Sequence, residues 1–224
     1  MTTALSDQGL QFATGNIVDM RASYPTTGTY TAGDIVLEST TAARLSGWKR
    51  LTSGSSNALG TDWQYFTTLT LATTVATTSG TAIDFTSIPS WVKRITLMFN
   101  GVSTNGTSIN QVQLGAGSVT ATGYSSSGTY TASTTNIGAA TSTTGMLVGA
   151  GNSASNLIYG QYIFTLVGSN VWVGGCSGGV GPGGVSFTGG GSVTLSGTLD
   201  RLRLTTVNGT DTFDAGSVNI LYEG

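Results

Sequence analysis

Between Val92 and Val102 apolar and polar positions alternate, and Ile95, Leu97 and Phe99 fall on one face, which predicts a half-buried strand. Ile83 and Phe85 alternate in the same way until Pro89 stops the pattern, and Ile109–Leu114 predicts a returning strand with Val112 and Leu114 in phase. Asn100-Gly101 and Asn105-Gly106 lie between these runs, and Asn-Gly is the strongest short hairpin signal because both residues tolerate positive φ. Leu157–Val167 and Asn170–Cys176 predict a hairpin turning at Gly168-Ser169, the first strand apolar on both faces as a centrally buried strand would be. Leu199–Thr206 and Ser217–Tyr222 predict the last two strands. Strands at this spacing, with Gly- and Asn-rich turns, point to an antiparallel two-sheet β-sandwich, jelly-roll-like in general form.

The pattern before residue 81 is different. Ile35–Glu38, Gly47–Thr52 and Asp62–Phe66 predict three short strands, with Trp48, Arg50 and Thr52 sharing one face. Thr31-Ala32-Gly33-Asp34 and Ser53–Asn57 are turn and loop signals, and Trp48 with Trp63 are the expected core. The expected organisation is therefore all-β: an N-terminal arm over 1–16, a small β module over 17–66, a Thr-rich linker over 67–80, and the sandwich over 81–224. About fifty residues is marginal for independent folding, so the module is expected to lean on the next domain or on sister chains. Two segments carry no clear period. Tyr124–Ala154 is nearly all Ser, Thr, Gly and Asn and is expected to form a functional loop or irregular strands; Gly178–Gly191 is expected to be a loop.

Composition sharpens this picture. Thr is the commonest residue, and its branched side chain suits a pleated surface. Four Trp, eight Tyr and seven Phe among alternating runs argue for a packed core and against a flexible linker. Charged residues are 8% of the chain against roughly 25% in ordinary domains, and the net charge is −2. No basic cluster suggests nucleic-acid binding, and no run approaches the roughly 20 apolar residues of a membrane span. Met1–Leu10 has neither a basic start nor an apolar core, so no signal peptide is expected. So little charge leaves a monomer poorly defended against self-association. The lone Cys176 is expected to be a buried strand residue.

Catalytic chemistry is sparse. The absence of His removes the usual general base and metal ligand. The Asn208–Asp214 segment is rich in oxygen but lacks Ca²⁺-loop spacing, and reads as a hairpin loop held by Asx-type bonds. Asp84 and Asp200 are a conceivable glycosidase pair, but strand-end capping or pairing with Arg94, Arg201 or Arg203 is the strongly preferred reading. Gly174–Gly179 is followed by neither a Lys-Ser/Thr pair nor a helix, so it is not a phosphate loop. No enzyme activity, cofactor or metal is expected. Tyr124, Tyr130 and Tyr159, set among Ser, Thr and Gly, are the candidate binding residues, with packing against their own loops the other reading.

Three long strings carry a resemblance. Ser79–Thr96, Met98–Ser108 and Gly197–Gly216 resemble the opening and closing parts of a C-terminal β domain common in phage and prophage tail proteins. Gly28–Val36 with Gly47-Trp48-Lys49 resembles a small module of tail fibres and tailspikes, on a shorter match. The resemblance implies a virion structural protein, a homotrimeric tail-fibre or tail-tip subunit that meets other virion proteins and a bacterial surface glycan or protein. It supplies no catalytic motif. A head-decoration or baseplate protein without host contact is the alternative, and a glycan-cleaving tailspike a third.

Overall fold

In the computed structural model the chain is described over residues 10–11, 16–38, 47–66, 69–132 and 135–224. Most of the expected 1–16 arm lies outside them. The chain divides into two compact units, Met1–Leu69 and Thr70–Glu223.

The first unit holds β1 (Leu10–Gln11), β2 (Ile17–Arg21), β3 (Ile35–Glu38), β4 (Gly47–Arg50) and β5 (Trp63–Phe66), side by side in that order. Among the described strands of this unit the β2–β3 pair is parallel and the others antiparallel. Its core is small: Tyr30, Val36, Trp48 and Trp63 are buried, with the Tyr30 and Trp63 rings edge to face at 4.9 Å. Three buried ionic side chains compensate by organising the loops. The Arg50 guanidinium lies 5.3 Å from the Trp63 ring and donates to the Thr52 carbonyl, to Gly54 O at 3.1 Å and to Asn57 Oδ1 at 3.1 Å. Asp34, at the end of the predicted turn, accepts the N–H groups of Thr31 and Ile17 at 2.7 and 2.9 Å. Asp62 accepts Thr52 Oγ1, Ser56 Oγ and the Ala58 N–H at 2.6, 2.7 and 2.9 Å. Loop order in a module this small thus rests on charge-assisted bonds as much as on apolar burial.

The second unit is a sandwich. One sheet contains β8 (Ala82–Thr86), β10 (Asn110–Ala116), β11 (Ser118–Val119) and β18 (Arg201–Thr206) in the order β11-β10-β18-β8, with β14 (Met146–Leu147) also on β10. The other contains β6 (Thr70–Leu71), β7 (Val75–Ala76), β9 (Arg94–Thr104), β12 (Ser125–Thr131), β13 (Ile137–Ser142), β15 (Leu157–Gly168), β16 (Val171–Gly181), β17 (Val185–Thr194) and β19 (Phe213–Glu223). Its order is β13-β12-β17-β16-β15-β9-β19-β6, with β7 also on β19. Ile95, Leu97, Tyr162, Phe164, Trp172 and Ile220 face Ile83, Val112, Leu114, Leu202 and Leu204 in one core. The stretch read as a linker supplies β6 and β7, both paired with β19.

Several local expectations differ from the structure. β9 and the returning strand β10 are not paired; the chain crosses between sheets, and β10 pairs with β18. Asn100-Gly101 is no hairpin turn but an irregularity inside β9, where Gly101 has φ +66° and the register with β15 and β19 shifts. The β15–β16 turn is Ser169-Asn170, both at positive φ (48° and 64°), one residue beyond the expected position and of the kind that suits a two-residue hairpin. β15 is not buried on both faces: Tyr159 and Val167 on its outer side are exposed. The two segments without a period are largely regular strand, namely β12 to β14 and the β16–β17 hairpin.

Candidate functional site

The three candidate tyrosines occupy three different environments. Tyr124 is in the core, its ring buried. Its hydroxyl receives the Leu114 N–H at 2.8 Å and donates to Thr120 O at 3.0 Å, and burial pushes the phenol up to about 12. It presents no ring to a partner. Tyr159 is exposed, on the outer face of the nine-stranded sheet. Tyr130 projects from the inner face of β12, at the opposite side of the same sheet. The structure therefore does not gather the three into one site.

Tyr130 does form part of a cleft of about 190 Å³. Phe187 from β17 and Val148, Asn152 and Asn156 from the β14–β15 connection line it with Tyr130, and Asn136 closes the β12–β13 side. The geometry is well supported. A Cβ on Gly151 would lie 3.0 Å from the Tyr130 ring, and one on Gly138 would collide with it, so glycines on two sides let the ring seat deeply. Tyr130 donates its hydroxyl proton to Asn136 Oδ1 at 3.2 Å. Asn152 Nδ2 donates to Thr104 Oγ1 at 3.0 Å and Ser108 O at 3.1 Å, tying the connection to the end of β9. The Val148 N–H donates to Asn110 O at 2.8 Å.

Among the described residues no charged side chain lines this cleft. Its chemistry is one aromatic face, apolar walls and three primary amides, each both donor and acceptor. That set suits a small neutral group with an apolar face and hydroxyl or amide edges. The volume is below the roughly 300–1,000 Å³ of pockets that enclose drug-sized molecules, so it fits one ring or one side chain. Asn136, Asn152, Asn156 and Phe187 were not legible as site residues. Phe187 sits in an apparent glycine loop, and the asparagines look like ordinary turn formers.

The carboxylates are committed elsewhere. Arg203 grips Asp84 through two bonds of 2.7 Å, and Arg201 holds Asp200 at 2.8 and 3.2 Å. Arg201 beside it holds the Asp200 carboxyl below the usual range, whereas a glycosidase general acid needs the opposite shift. In the Asn208–Asp214 loop, Asn208 Oδ1 accepts the Thr210 N–H at 3.0 Å, its Nδ2 donates to Asp211 Oδ1 at 2.6 Å, and Asp211 Oδ2 accepts the Ser108 N–H at 2.9 Å. Those oxygens serve the loop as the Asx-type reading expects. Among the described residues no three His, Cys, Asp or Glu side chains gather as a metal site.

Comparison with protein-family models, curated proteins and solved structures finds no match. The functional case therefore rests on this chain's own residues.

Proposed function

We propose that the protein is a bacteriophage virion structural protein, a tail-fibre or tail-tip subunit that contributes to binding of the bacterial surface. The observation that carries this reading is the uncharged Tyr130–Phe187 cleft with its three asparagines, built from the segment richest in Ser, Thr and Gly. Connections between strands are where a rigid sandwich can vary its contacts at little cost to the core. A neutral saccharide ring or an uncharged side chain of a surface protein meets the chemistry of the cleft. Single contacts of this size are weak, and several copies per particle would multiply them. The resemblance of Ser79–Thr96 and Gly197–Gly216 to phage tail proteins supports the same reading.

The test is adsorption of purified protein to host cells, with competition against infection. Wild type is expected to bind and to block infection. Tyr130→Ala is expected to bind roughly tenfold more weakly, the scale of losing one anchor side chain. Wild-type protein that never adsorbs would refute host contact. A head-decoration or baseplate role would then be favoured, and the uncharged outer face of β12, β15, β16 and β17 suits such packing equally well.

A further inference from the structure

The bonds already made around the Tyr130 cleft decide what a ligand must bring to it. Asn152 Nδ2 donates both of its protons, to Thr104 Oγ1 at 3.0 Å and to Ser108 O at 3.1 Å. A carbonyl oxygen only accepts, so the Asn152 amide cannot be turned round, and its Oδ1 is the atom that meets Asn156. Asn156 Nδ2 donates to that oxygen at 3.5 Å, which orients the second amide in turn. Tyr130 gives its hydroxyl proton to Asn136 Oδ1. Asn156 Oδ1, Asn152 Oδ1 and Tyr130 Oη keep lone pairs, whereas Asn152 and Tyr130 have no proton left to give. This edge of the cleft therefore accepts more than it donates.

The sheet supplies a wall of the opposite kind. Ile158, Val180 and Val185 stand opposite one another across β15, β16 and β17, and all three line the cleft. Phe187 and Tyr130 form the next row, paired across β17 and β12. Ile158 and Phe187 are buried, and Val180 and Val185 are half-buried, so the row passes from the core into the cleft. A hydroxyl laid against these branched side chains would lose its water without gaining a partner, whereas a methyl group would gain apolar contact. No Lys or Arg occurs between Arg94 and Arg201, so β10 to β17 and their connections offer an anion no counter-charge.

We infer that the cleft selects a neutral 6-deoxyhexose residue, and that Asn156 is the side chain that determines the choice. Such a ring brings hydroxyl protons for the acceptor edge and a methyl group for Val180 and Val185, in place of the hydroxymethyl of the parent hexose. A uronic acid brings a carboxylate, which only accepts, and would set its charge against amide and phenol lone pairs in a partly dry site. An N-acetylated sugar brings a carbonyl that needs an N–H, where Asn152 and Tyr130 have none to give. The cleft, at about 190 Å³, holds one ring. The inference rests on the reading of this cleft as a saccharide site and narrows that reading to one class of sugar.

Titration of the full chain with free sugars, followed by NMR, tests it. L-fucose and L-rhamnose are compared with L-galactose and L-mannose, which differ from them only by a hydroxyl at C6, and with N-acetylglucosamine and glucuronic acid. At least one 6-deoxyhexose is expected to bind roughly tenfold more tightly than its parent hexose, the scale of a small change in an apolar pocket. Asn156→Ala should weaken that binding about fivefold, as loss of one neutral hydrogen bond does, whereas Asn156→Asp, which keeps the acceptor, should retain it. Val185→Thr, isosteric and half-buried, should bring the 6-deoxyhexose and its parent to similar affinity and carries the test if the Asn156 variants misfold. Equal or tighter binding of glucuronic acid or N-acetylglucosamine overturns the inference, as does a 6-deoxyhexose whose binding neither Asn156→Ala nor Val185→Thr alters. Wild type that adsorbs to cells through Tyr130 yet binds none of these sugars overturns it while leaving host contact standing. Binding of a 6-deoxyhexose without adsorption to cells supports it and removes host contact instead.

Discussion

Replacing Gly174 and Gly175 by alanine, one at a time, should change stability in opposite directions. The two residues are neighbours on β16, neither has positive φ, and the added group is the same methyl. Relative to Ala, Gly inside a strand costs roughly 0.5–1 kcal/mol in conformational freedom, so both substitutions begin with that gain. At Gly175 little opposes it, because the new Cβ meets only Gly189 O at 3.5 Å. At Gly174 the methyl would sit 2.8 Å from Phe164 and Tyr162 and 3.0 Å from Ile163 O. Those two rings are fully buried and stacked at 4.4 Å with 3° between their planes, so neither can swing aside cheaply. Overpacking of this kind costs about 1–3 kcal/mol. Net, Gly174→Ala should lose about 0.5–2 kcal/mol and Gly175→Ala gain up to about 1 kcal/mol. At roughly 2–4 °C per kcal/mol for a domain of this size, the two melting temperatures should straddle that of wild type by several degrees. Thermal and urea unfolding at low protein concentration, where association adds no stability, measure this directly. Equal losses at both positions would mean that the outer face is covered within the chain. An unperturbed Gly174→Ala would refute the packing of the rings onto the sheet.

Other predictions test other parts of the structure. Bonds from Ser56, Thr52 and Ala58 hold the Asp62 carboxyl down at about 2, against an ordinary value near 3.9. A depressed folded-state pKa stabilises above the unfolded value and is lost as pH falls through the folded one. The stability advantage of wild type over Asp62→Asn should therefore be full above about pH 5 and fade toward pH 2; a pH-independent difference would contradict it. Burial pushes the Cys176 thiol up to about 11, so a thiol reagent at pH 8 should label the folded chain far more slowly than the urea-unfolded chain, and equal rates would place the thiol at the surface. The Arg203–Asp84 pair is well shaped, but its side chains are 36% and 40% exposed, so Asp84→Asn should cost less than about 1 kcal/mol in urea unfolding. If that variant instead abolished release of reducing sugar from host polysaccharide, the carboxylate would have a chemical role.

What was legible in the chain follows the strength of its local signals. Ile35–Glu38 is β3, and Ile95, Leu97 and Phe99 are the buried face of β9, because alternating large apolar residues report directly on one buried side. Trp48 and Trp63 are core residues of the first unit for the same reason. β12 was obscured because its inward positions are Ser126, Gly128 and Tyr130. Gly128 is buried not by hydrophobicity but by close approach of the Gly149 backbone, where any Cβ would collide. A period built from absent side chains leaves no hydropathy signal. Asn100-Gly101 misleads because positive φ serves a bulge as well as a hairpin turn, and only the partner strands decide which is formed. The cleft was invisible because Phe187 meets Tyr130 through the pairing of β12 with β17 and Asn152 arrives on the β14–β15 connection, at separations no linear motif spans.

The central proposal is that this charge-poor β-sandwich protein is part of a phage particle and works at its host-facing end. Labelling intact particles with an antibody to the chain, and imaging them, tests that most directly. The label should lie on tail fibres or the tail tip. Label confined to capsids, or particles that carry none, would contradict the account.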